Sequence, residues 1–107
     1  MIYAQYEIVI VNLDPTIGSE IKKTRPCVVI SPDEMNRHLD TIVICPITSK
    51  SKNYPTRIPF DLDGNENWIV VDQIRTINKK RVTKAIGFLN QSVIAEVKEI
   101  LRQAFVD

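Results

Sequence analysis

The stretch KKTRPCVVIS, residues 22–31, sets three basic side chains against a proline and an apolar run. PCVVI is too apolar to stay outside a core, so residues 25–31 are expected to form a strand. Proline fixes its own φ and drives the preceding residue toward an extended backbone. Arg25 is therefore held at the strand mouth more firmly than an ordinary surface arginine. Two explanations fit. Arg25 is a charged strand entry, salt-bridged to a carboxylate such as Asp72 or Glu20, or it is aimed at a ligand.

Working outward, YEIVIVNL (6–13) reads as a strand with much of both faces apolar, ended by the turn signal Asp14-Pro15. A polar connection, 15–24, follows, with Gly18 as its flexible point. SPDEMNRH (31–38) reads as a short helical turn, Ser31 capping and Pro32 in the first position. TIVICPIT (41–48) is a third strand, and Pro46 within it suggests an edge position or a bulge. The loop SKSKNYP (49–55) leads to a strand TRIPFDL, a tight DGNEN connection and WIVVDQIRTI (68–77), one strand or two. After the turn NKKR comes a short strand, VTKAI. The chain ends in a helix capped by Asn90, with Val93, Ile94, Val97, Ile100, Leu101, Ala104 and Phe105 at helical spacing. That stripe is core.

Short strands plus one terminal helix imply a mainly β fold: a small curled sheet or barrel with the helix packed across it. At 107 residues, 44% of them hydrophobic, the chain is expected to form one domain, 1–107, with a modest core. No run is apolar over the length of a membrane span, and no signal peptide is expected, so a cytoplasmic protein is the reading. Cys27 and Cys45 lie in apolar runs without metal-ligand spacing, as reduced core thiols do.

The net charge is +1, but its distribution is uneven. Of the 14 Lys and Arg residues, all but Lys98 and Arg102 fall between Lys22 and Lys84, gathered in KKTR, SKSK and NKKR. Basic loops around a small domain suit a phosphate backbone, although composition alone favours plain solvated loops. His38 is the single histidine, which leaves a metal site or a Ser-His hydrolase without partners. With three glycines there is no phosphate-cradling glycine loop. Any catalysis must come from Arg, Glu, Asp, Thr or Ser.

The run DPTIGSEIKKTRPCVVIS, then PITS, then VDQIRTI with NKKR, resembles the MazF/PemK family of toxin–antitoxin ribonuclease toxins. The likeness extends from about Ile8 into the C-terminal helix. It implies an SH3-like β-barrel (MazF/CcdB-like) with appended helices, a homodimer, and cytoplasmic, sequence-specific cleavage of single-stranded RNA with neither metal nor cofactor. It further implies Arg25 as the principal catalytic residue, Thr48 as its partner and Glu20 as a base or substrate contact. Asp72 and Gln73 are supporting or alternative acid–base groups, and a cognate antitoxin with an acidic tail would cover the RNA groove. Some members carry a histidine where Ser19 stands and an arginine where Val70 stands, so schemes needing those side chains cannot operate here. Lys22, Lys23, Ser49, Lys50, Lys52 and Tyr54 are the expected RNA contacts, Tyr54 by stacking. Trp68, at a strand start, is expected to be core, and Arg75 to brace the barrel.

The chemistry suits these residues. RNA brings its own nucleophile, and a planar guanidinium can hold two phosphate oxygens at once. A guanidinium hardly loses its proton, which leaves Glu20 as the more natural proton acceptor. The alternatives are a toxin that poisons a protein target, as CcdB does, and a non-catalytic SH3-like RNA- or peptide-binding module. The first uses a tryptophan near its C-terminus where this chain ends RQAFVD.

Overall fold

A computed structural model describes residues 2–13 and 24–107 of the chain. Seven strands, β1 (Glu7–Asn12), β2 (Thr24–Val29), β3 (Thr41–Thr48), β4 (Arg57–Leu62), β5 (Asn65–Val70), β6 (Arg75–Asn78) and β7 (Val82–Phe88), form a curled sheet. The helices are α1 (Asp33–His38) and α2 (Gln91–Phe105). The path of pairing runs β4-β5-β3-β2-β1-β7, with β6 also paired to β3. The expected mainly β fold with one long C-terminal helix is what forms. WIVVDQIRTI is two strands, separated by a 3-10 turn at Val71–Gln73.

β3 is the hub. One side pairs with β2, Cys27 opposite Pro46. The other side pairs with β6 over Thr41–Ile44, then with β5 at Ile47 and Thr48. Pro46 is therefore on neither an edge strand nor a register bulge, contrary to its sequence reading. Val43 turns its carbonyl toward Ile30, 2.9 Å away, on the β2 side. Alternation then points the nitrogen of Pro46 to the other side, where β3 has lost β6 and not yet met β5. The missing N–H removes no rung, and the gap is spanned in sequence by the 3-10 turn.

The sheet buries both faces. Ile8, Val28, Cys45, Ile47, Ile69 and Val71 pack on one face with Val93 and Val97 of α2. On the other, Val9, Val11, Cys27, Val29, Ile44 and Ile77 close on one another inside the curl. Directly opposed residues of an antiparallel pair share a face, as do residues two apart in one strand. Hence Arg25 follows Cys27 and Val29, Thr48 follows Pro46 and Ile44, and Arg75, opposite Ile44, follows Ile77.

Ser31 does not cap α1. Pro32 holds the cap position with no side-chain bond. The Ser31 hydroxyl instead donates to Oδ1 of buried Asn36 and accepts from the Val43 N–H at 3.0 Å, tying α1 to β3. The Asn90 side chain does cap α2, accepting from Val93 N–H at 3.0 Å. The expected apolar stripe is core only as far as Leu101; Ala104 is exposed, and Phe105 is 55% exposed beyond the sheet. Asp63 (φ 53°) and Gly64 (φ 84°) make the two-residue β4–β5 turn, whose left-handed pair matches the twist of a hairpin.

This division of the core predicts that Ile69→Ala, at a fully buried site, lowers unfolding free energy by about 2–5 kcal/mol. Phe105→Ala should change it by less than about 0.5 kcal/mol. Urea denaturation of both variants checks this; equal losses would mean that Phe105 is core after all.

Candidate active site

At the mouth of the inner core three of the strands that carry it, β2, β3 and β6, end in polar side chains. A cleft of about 370 Å3 opens there, lined among others by Arg25, Thr48, Lys50, Arg57, Gln73 and Arg75. Its position follows from alternation. Arg25 on β2 and Arg75 on β6 share the face of Pro46, one on each side of β3. Leaving Pro46 without an N–H and a partner strand at this point keeps the floor between them apolar and open. An adjoining hollow again contains Arg25, Thr48 and Lys50, together with Ser49.

Arg25, Lys50 and Arg75 are exposed, and none has a hydrogen-bond or ion-pair partner for its side chain among the described residues. Arg57 differs. Its Nε donates to Asp72 Oδ1 and its Nη2 to Asp72 Oδ2, each at 3.4 Å, while Nη1 donates to Ser51 Oγ at 3.2 Å. Its guanidinium carbon lies 4.9 Å from the centre of the Tyr54 ring. Every edge of Arg57 is thus used, and its charge is matched. The cleft therefore offers an anion three cations that nothing in the described chain neutralises.

Asp72 also accepts from Thr56 Oγ1 at 2.8 Å. Partial burial pushes its carboxyl up, but the hydrogen bonds from Arg57 and Thr56 outweigh that effect and hold it below its ordinary value. Asp72 is thus a charged partner of Arg57 and no salt-bridge partner of Arg25. It is exposed rather than part of the core. Gln73, one residue on, lines the cleft.

Thr48 is half-buried, and its hydroxyl is engaged at both ends. Oγ1 accepts from Lys50 N–H and donates to the Lys50 carbonyl, both at 3.2 Å. This turn fixes where the Lys50 side chain leaves the backbone. Rotating the hydroxyl hydrogen off the carbonyl frees a donor for the cleft while Lys50 N–H still holds the oxygen.

Among the remaining expected residues, Tyr54 is exposed beside Arg57 and Asp72 in a neighbouring hollow. Lys52 is exposed and lines neither the cleft nor its adjoining hollow. Glu20, Lys22, Lys23 and Gly18 lie outside the described residues. The NKKR turn does not join the cleft: Asn78 pairs with Thr41, at the opposite end of β3 from Thr48. Lys79 there donates to the Asn36 carbonyl, and Arg81 to that of Asn12 at 3.2 Å. Trp68 is mid-strand in β5, opposite Thr48 and half-buried, and its buried indole N–H has no hydrogen-bond partner among the described residues.

Sequence reasoning missed Arg57 and misplaced Arg75 as a barrel brace. A signal for Arg75 was present. Ile77 is plainly inward, and two residues earlier in a strand is the same face. Among the described residues no group of three or more His, Cys, Asp or Glu side chains comes together. No helix among the described residues is long and apolar enough to cross a membrane.

The geometry defines a small curled-sheet protein with a cationic cleft at the end of its inner core, and comparison with known proteins agrees. The family model for the PemK-like, MazF-like toxins of type II toxin–antitoxin systems matches residues 4–105. The chain belongs to this family. It is 32% identical over 108 residues to the endoribonuclease EndoA of Bacillus subtilis, covering 95% of this chain and 93% of that one. It is 33% identical over 103 residues to the endoribonuclease MazF of Staphylococcus epidermidis, covering 89% and 84%. Among solved structures, a MazE–MazF structure from Deinococcus radiodurans superposes with a TM-score of 0.84 at 25% identity, covering 96% of this chain and 95% of that one. Mycobacterium tuberculosis toxin MazF-mt6 gives 0.78 at 25%, covering 92% and 95%.

Both cysteines are free and buried. Burial pushes each thiol up to about 12; at Cys27 the charges of Arg25 and Arg75 oppose it. Native protein should therefore resist alkylation by iodoacetamide at pH 8, and react at both sites once unfolded. Because the thiols hold their protons more tightly when folded, their contribution to stability is complete below the unfolded thiol value of about 8.5. It is lost as pH rises from there toward 12. Rapid native modification at pH 8 would contradict this.

Proposed function

We infer that this chain is the toxin of a type II toxin–antitoxin pair and acts as an endoribonuclease on single-stranded RNA. The observation that carries the reading is the convergence of Arg25 and Thr48, from adjacent strands, on one cleft with cations that no described residue neutralises. Kinship with chains named endoribonucleases supports the substrate class.

In the reaction the 2′-hydroxyl beside the scissile phosphate loses its proton, and its oxygen bonds to phosphorus. The P–O5′ bond breaks, and a proton passes to the departing 5′-oxygen. The products are a 2′,3′-cyclic phosphate and a 5′-hydroxyl, with no water consumed. Arg25 holds the non-bridging oxygens as negative charge builds on them, its fork matching two oxygens. The freed Thr48 hydroxyl donates one further hydrogen bond. Glu20 takes the 2′-proton, since a carboxylate accepts where a guanidinium does not. Asp72, already committed to Arg57 and Thr56, acts by holding Arg57 in place. Gln73 offers an uncharged donor at the cleft wall, and Ser49, Lys50 and Tyr54 bind flanking nucleotides. Lys22, Lys23 and Lys52 add long-range attraction for the backbone.

A cleft of about 370 Å3 has room for little more than one nucleotide-sized group. Contact with a longer strand needs further surface, which a second copy of the chain supplies, so the working form is a homodimer. The same positive surface suits an antitoxin whose acidic, disordered tail folds over it and covers Arg25.

Arg25→Ala should cost on the order of 3 kcal/mol of transition-state stabilisation, about two orders of magnitude in rate, without unfolding the protein. Arg25→Lys should recover little, because the charge remains but the fork is lost. RNA carrying 2′-O-methyl at the scissile nucleotide should bind and resist cleavage. Denaturing gels with labelled RNA check all three; normal cutting of the methylated RNA would make water the nucleophile and overturn the mechanism.

A further inference from the structure

We propose that Arg75 is a second phosphate-binding arginine of this cleft, gripping the RNA backbone from the side of Pro46 opposite Arg25. The inference rests on the reading of the cleft as an RNA site and adds to it a residue and a geometry.

Arg75 opens β6 opposite Ile44, and Arg25 lies two residues before Cys27, itself opposite Pro46. The two arginines thus come from the strands on either side of β3, two strand spacings apart across the sheet and four residues apart along it. That is roughly 16 Å at the backbone, within the joint reach of two long side chains. They share one face and line one cleft. An arginine on a core-facing position is costly to keep without a counter-charge, and Arg75 follows Ile77 on that face. It escapes burial because the sheet stops there, and no described carboxylate approaches it. The Cys27 thiol, on the same face, feels both arginines, which places the two charges on one small region.

Arg57 is the internal contrast. It reaches the same cleft, yet Asp72 neutralises it and Ser51 and Tyr54 hold it, so it shapes the wall and adds no net charge. Among the described residues nothing restrains Arg75 in these ways. Pro46 between the arginines offers neither donor nor bulk, leaving room for a tetrahedral anion reached from both sides. Two guanidiniums on one phosphodiester neutralise more charge than the ground state carries, which favours the more highly charged phosphorane.

The test uses full-length protein and two RNAs of one sequence, unmodified and 2′-O-methylated at the scissile nucleotide. Arg75→Ala should lower the single-turnover cleavage rate on the order of 100-fold. It should also make the log–log salt slope for binding the methylated RNA shallower by about 0.7, the share of one phosphate contact. Lys98→Ala, on the exposed outer side of α2, should change neither. Thermal melting confirms that each variant is folded. Unchanged rate and slope in folded Arg75→Ala, with wild type cleaving normally, would overturn the role of Arg75 and leave the endoribonuclease reading intact. Wild type that binds but does not cleave would overturn the endoribonuclease reading, while the slope still decides whether Arg75 contacts phosphate. Wild type that neither binds nor cleaves would overturn both.

Discussion

The site depends on the change of partner that β3 makes between Ile44 and Ile47. An antiparallel strand that kept one neighbour along its whole length would leave no gap at Pro46, and β5 or β6 would close over the end of the inner core. Because β6 stops pairing before β5 begins, the sheet opens at that point. The 3-10 turn Val71–Gln73 joins the two partners, brings Gln73 to the opening and sets Asp72 against Arg57 on its wall. Pro46 is compatible with this interior position because its nitrogen faces the side where no ladder bond is available.

Alternation then does the placing. Three strands carry apolar side chains inward in steps of two, and each ends its series with a polar residue: Arg25 on β2, Thr48 on β3 and Arg75 on β6. No separate device is needed to gather them, since the register that builds the core also brings its polar ends together. The rigid core behind them limits motion, which suits charge stabilisation by fixed donors better than a mobile loop would. Pro26 restricts the backbone at Arg25 in the same sense.

Much of this was legible in the chain. The apolar runs marked the strands, the stripe from Val93 to Leu101 marked α2, and Arg25-Pro26 with the PITS segment marked the two residues at the centre of the cleft. What escaped was set by tertiary pairing. Pro46 signalled an edge because a proline carries no record of which side its nitrogen faces. Arg75 reads as a brace in the sequence, since a four-residue strand is too short for its period to stand out, although Ile77 alone fixes its face. The Arg57–Asp72 pair joins residues from different strands, and no spacing rule announces it. At α2, helical periodicity continues to Phe105 although burial stops at Leu101. Periodicity reports which side of a helix is apolar and not how far its neighbour extends.

The cleft's role as the place where RNA phosphate is held can be read most directly from arginine side-chain NMR. Spectra of Nε–H groups would be recorded as 2′-O-methylated, single-stranded RNA is added. The expected result is that the signals of Arg25 and Arg75 shift and broaden with a common binding curve while that of Arg57, already paired with Asp72, moves far less. Saturation of binding with Arg25 and Arg75 unmoved would contradict the assignment and place the RNA on another face of the molecule.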